Sequence, residues 1–119
     1  MALDEAGVSA RVAEELAGMT DARLVTALRG YLVPPRRCEL AWDYGPPEGY
    51  PGFVVAEFPE SGTGIAFSEH GFGPRHPWVL SFLERPGFGM DSGAFARLEG
   101  AFRDSMAWDE PPPPGYEVE

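Results

Sequence analysis

The spacing of apolar side chains changes character twice along this chain of 119 residues. Behind Ser9, which can cap a helix, Val12, Ala13, Leu16 and Ala17 recur on one side until Gly18, and this predicts a short first helix. Thr20 caps a second, opened by Asp21, on which Leu24, Val25, Leu28, Tyr31 and Leu32 share a face until Pro34-Pro35 forbids continuation.

From Arg37 to Leu83 the period drops from about 3.6 to 2, and the residues become aromatic and β-branched. Cys38, Leu40, Trp42 and Tyr44 alternate with Arg37, Glu39, Ala41 and Asp43, the pattern of a strand with one wet face. Residues 53–58 predict a more buried strand, residues 65–69 its hairpin partner, and residues 78–83 a fourth strand. Such short connections require antiparallel pairing. Asp91 or Ser92 then caps a last helix carrying Phe95, Leu98, Phe102 and Met106 on one side, ending near Trp108 before Pro111-Pro112-Pro113-Pro114. The order is ααββββα: an α+β domain over residues 1–109, with a four-stranded antiparallel sheet, two N-terminal helices and one C-terminal helix, followed by a Pro-rich acidic tail over residues 110–119.

Composition narrows the chemistry mainly through what is missing. The chain has no lysine, asparagine or glutamine. Without lysine there is no Walker A loop, kinase lysine, Schiff base or pyridoxal anchor. The lone Cys38 forms neither an internal disulfide nor a multi-cysteine zinc site. The first residues carry acids and no apolar leader, so a cytoplasmic protein is expected, and this residue usage is what G+C-rich bacterial coding produces.

Charge is unevenly placed within the net −10. Residues 1–37 sum to zero, while residues 38–74 hold Glu39, Asp43, Glu48, Glu57, Glu60 and Glu69 with no lysine or arginine. Residues 104–119 add five unopposed acids. This field repels nucleic acid and anionic membranes and favours a basic protein partner. Aromatic residues in or beside the loops, Trp42, Tyr44, Tyr50, Phe72 and Phe88, set among carboxylates such as Asp43 and Glu69, are expected to anchor that partner.

A second candidate is the loop over residues 69–78, which holds both histidines. There His70 or His76 would act as acid or base and Arg75 would hold an anionic group. The same residues also suit a purely structural loop, with Trp78 in the core. The five-residue gap between the histidines, rich in Gly and Pro, does not place two imidazoles on one face, so no metal and no cofactor is expected. Pro113-Pro114-Gly115-Tyr116 has the form of a WW-domain ligand but suits a solvated spacer. Three expectations stand: a protein-binding module masking a basic partner, akin in size, charge and compartment to immunity and antitoxin proteins; a small metal-free enzyme or ligand-binding protein; and a domain self-associating as a homodimer through aromatic loops.

Overall fold

Each N-terminal helix opens on a carboxylate. In a computed structural model that describes residues 4–40, 50–69, 75–84, 94–105 and 107–108, helix α1 spans Glu5–Gly18 and Asp4 caps it, its Oδ1 accepting the Gly7 amide at 2.8 Å. Ser9, read above as the cap, lies inside the helix, because Asp4 starts it a turn earlier. Helix α2 spans Ala22–Arg29 and is capped by Asp21, rather than Thr20, through the amides of Arg23 and Leu24.

The chain leaves α2 sooner than its apolar spacing suggests. Tyr31 and Leu32 do not continue the helix; strand β1 runs Leu32–Leu40 and takes in Pro34-Pro35. Two prolines are tolerated there because β1 is the edge of the sheet and its pairing slips between Leu32 and Arg36, so their missing N–H groups leave no ladder partner wanting. The other strands are β2 (Tyr50–Phe58), β3 (Thr63–Phe67), β4 (Trp78–Phe82) and β5 (Ala94–Phe95), followed by helix α3 (Leu98–Arg103). They form one antiparallel sheet in the order β1-β2-β3-β4-β5. The fold is the expected α+β, with a fifth strand: Phe95, assigned above to the last helix, pairs with Trp78 instead. The residues proposed to start that helix, Asp91 and Ser92, lie outside the described residues, as do Trp42, Tyr44 and the tail over residues 110–119.

One face of the sheet carries a cross-strand row of Phe53, Phe67, Trp78 and Phe95, all buried. Val8, Val12, Leu24, Leu28, Leu98 and Phe102 from the helices pack on that side. Burying each such ring contributes about 2–3 kcal/mol, so this layer is the main source of stability. The other face holds a smaller cluster of Leu40, Ala66 and Val79, with Cys38 and Tyr50 against it. Both faces are therefore buried at the centre, which is why residues 53–56 are apolar without alternation.

A bulge between Val54 and Ala56 turns the Ala56 carbonyl toward Gly64, where a Cβ would collide with that oxygen and come within 2.8 Å of Leu83 Cδ2. Only glycine fits beneath that carbonyl.

Charged side chains join the helices. Glu15 Oε1 accepts the Leu98 amide at 2.9 Å and its Oε2 takes Arg97 at 3.1 Å, so a residue of α1 caps α3, which has no side-chain cap of its own. The Arg103 guanidinium, 8% exposed, pairs with Glu99 at 2.8 Å and Asp21 at 3.2 Å, tying α3 to the start of α2. Burial alone would raise the Asp21 pKa, but the Arg103 hydrogen bond, with the Leu24 amide and Arg23, outweighs it and holds the carboxyl below its ordinary value.

Two predictions follow from this packing. Gly64→Ala loses about 1–3 kcal/mol in urea unfolding, while Gly18→Ala, where nothing lies within 4 Å of the added methyl, loses none. Because the Asp21 pKa is lower folded than unfolded, its contribution is complete above the unfolded value and disappears as pH falls through the folded one. Stability measured across acid pH therefore declines below about pH 4, and less steeply in Asp21→Asn.

Candidate functional site

The two ends of the sheet differ in character. At one end Phe58, Thr63 and Phe82 form the last cross-strand row on the helix-covered side. Phe58 is 2% exposed, since Tyr31 meets it edge-on at 5.1 Å and Phe102 lies 5.9 Å away, with Trp108 stacked behind Phe102 at 5.6 Å. Phe82 has no such cover. It is 51% exposed and is the one large apolar side chain left to solvent among the described residues.

The backbone around Phe82 is well held. Residues 59–62 turn tightly, with the Ser61 and Gly62 amides both donating to the Phe58 carbonyl, Gly62 at φ 70°, and the Leu83 amide donating to the Gly62 carbonyl at 2.9 Å. The Ser61 and Thr63 hydroxyls share a hydrogen bond of 2.6 Å. Tyr31, Phe58, Glu60, Ser61 and Ala107 line a dimple of about 40 Å³ beside this turn, room for a water-sized group. Glu60 and Glu84 are exposed on either side, one in the turn before β3 and one just past β4. Among the described residues no arginine comes within ion-pair distance of either. By contrast Glu57 is taken by Arg36 at 2.8 Å. The result is a partly exposed ring at the end of β4, next to a hydrogen-bonded turn, with exposed carboxylates in that turn and just past the strand.

The other end of the sheet holds the described part of the loop over residues 69–78. The Ser68 amide donates to the Pro77 carbonyl at 2.8 Å, and the Ser68 hydroxyl to the Pro51 carbonyl, so the neck of this loop is closed. Glu69, Arg75 and His76 are exposed beyond it, whereas Trp78 is fully buried and packs edge-on to Phe67 at 4.9 Å. His70 and Phe72 lie outside the described residues, as do Trp42, Asp43, Tyr44 and Phe88. Tyr50 is half-buried and packs with Leu40 on the second face. Among the described residues no three His, Cys, Asp or Glu side chains gather as a metal would require, and no helix is long and apolar enough to cross a membrane.

Of the residues singled out in the sequence, the structure therefore describes Tyr50, Glu69, Arg75 and His76, and does not bring them into one described pocket. Phe82 was not singled out. Its place at the end of β4 reads as a core position, and only its exposure in the fold reveals otherwise.

Cys38 bears on covalent chemistry. Burial pushes its thiol up to about 11, with Arg36 opposing the rise. At neutral pH roughly one molecule in 10⁴ carries the thiolate, too little for a nucleophile. Comparison with protein-family models, with curated proteins and with solved structures finds no match to this chain.

Iodoacetamide should accordingly label Cys38 slowly in the native protein at pH 7.5 and at the rate of a free thiol in denaturant. Fast native labelling would show the thiol to be activated.

Proposed function

We propose that this protein is a small acidic protein-binding module that masks a basic partner, in the manner of an immunity or antitoxin protein. The observation that carries this reading is Phe82, 51% exposed at the end of β4 where Leu83 is hydrogen-bonded to the turn over residues 59–62, with Glu60 in that turn and Glu84 two residues on, both unpaired among the described residues. An aromatic anchor loses little entropy on docking when the backbone beneath it is already fixed, and the neighbouring carboxylates supply attraction to arginine and lysine on the partner. Long-range attraction from the net charge of −10 speeds encounter with a cationic protein and disfavours acidic ones. The dimple beside the turn, with Glu60 among its lining residues, suits the tip of a cationic side chain.

The test is capture of partners from the native lysate on immobilised protein, followed by affinity measurement with the purified partner. The partner is expected to be basic, and its affinity to fall as salt rises from about 0.05 to 0.5 M. Phe82→Ser should weaken binding by about thirtyfold while leaving the fold intact, the loss of an anchor worth about 2 kcal/mol. Glu60→Gln with Glu84→Gln should slow association and flatten the salt dependence. A complex indifferent to salt and to Phe82→Ser would overturn the reading.

A further inference from the structure

The end of the sheet opposite Phe82 carries an arrangement that the acidic module does not use. Arg37 on β1, Phe53 on β2 and Phe67 on β3 are successive partners in one cross-strand row. The Arg37 guanidinium lies over the Phe53 ring, 5.3 Å from its centroid. Arg11, reaching down from α1, lies over the Phe67 ring at 5.2 Å. Two cations thus rest on two neighbouring rings of one row.

In a chain with nineteen carboxylates and nine arginines, such a pair would be expected to attract acids. Among the described residues none comes within 4.0 Å of either guanidinium. Glu15, one turn beyond Arg11, is committed to the Leu98 amide and Arg97. Arg36, next to Arg37 but on the opposite face, is matched by Glu57. Glu5, Glu14 and Glu39, the other acids of these two elements, are exposed.

Each guanidinium centre lies over a ring, a neutral partner that leaves the charge unbalanced, and its N–H donors form a fork suited to a planar or tetrahedral oxyanion. Neighbouring strands are about 4.8 Å apart, so the two rings are adjacent and both cations lie over the same stretch of the row. We propose that Arg11 and Arg37, lying over Phe67 and Phe53, form a binding site for a phosphate or phosphomonoester dianion. Two negative charges on one group answer the two cations together, which a single carboxylate does not. The site is independent of the Phe82 surface and stands or falls separately from it.

The probe is inorganic phosphate, added to ¹⁵N-labelled protein at constant ionic strength maintained with chloride, with the arginine Nε–H signals followed. Those of Arg11 and Arg37 are expected to shift saturably with a dissociation constant of about 1 mM. Arg11→Gln and Arg37→Gln should each weaken binding about tenfold, while Arg29→Gln, which removes the same charge elsewhere, leaves it unchanged. Arg37→Lys, which keeps the charge and loses the fork, should fall between them. Phenyl phosphate in a parallel titration separates the sources: tighter binding than phosphate assigns an ester, equal binding the free ion. Absence of a saturable shift in the unmodified protein up to about 50 mM phosphate, or binding undiminished in both glutamine variants, would overturn the proposal.

Discussion

The row of Phe53, Phe67, Trp78 and Phe95 is the constraint from which most of this structure follows. A sheet with four large rings side by side on one face is stable in water only when that face is covered, and among the described residues three helices do so. They cover it incompletely. The guanidiniums of Arg11, from the middle of α1, and of Arg37, from the edge strand, lie over Phe67 and Phe53 and add to the cover. Where α3 stops, Tyr31, Phe102 and Trp108 close over Phe58 but leave Phe82 in the open. Both surface features that suggest function are the margins of one packing problem.

Charge is sorted along the same lines. The helical acids Glu15 and Asp21 cap α3 and α2 and receive Arg97 and Arg103, so they serve the fold. These contacts are partly shielded, and their value lies as much in satisfying helix amides as in ion pairing. Acids on the sheet turns, Glu60, Glu69 and Glu84, are exposed. Acids of the N-terminal helices thus interlock with Arg97 and Arg103, while Glu60, Glu69 and Glu84 contribute to a field at the strand ends.

Much of the architecture was legible because it is written in local periodicity. The changes from helical spacing to alternation, and the unbroken apolar run at residues 53–56, correspond to real elements. Errors arose where two local readings compete. Asp4 wins over Ser9 as a cap because the longer helix makes more backbone bonds. Pro34-Pro35 stops helices, yet an edge strand with a slipped register accepts both residues. Phe95 suits a helix face and a strand equally, and pairing with Trp78 decides for the strand. The loop over residues 69–78 was legible as a concentration of unusual side chains, but residue type alone does not say which of them point together.

The sequence by itself determined the class of fold, the antiparallel sense of the strands, the absence of lysine chemistry and the one-signed middle of the chain, since each depends on residue type and spacing over a few positions. Only tertiary structure decided which members of those patterns stay uncovered. Phe82 and Phe58 look alike in their strands, as do Arg36 and Arg37 side by side in theirs. One ring is roofed and the other is not, and one arginine meets Glu57 while the other meets an aromatic face. Those outcomes depend on where separate elements end relative to one another in space, and side-chain order along a strand carries no record of how far a helix from another part of the chain extends.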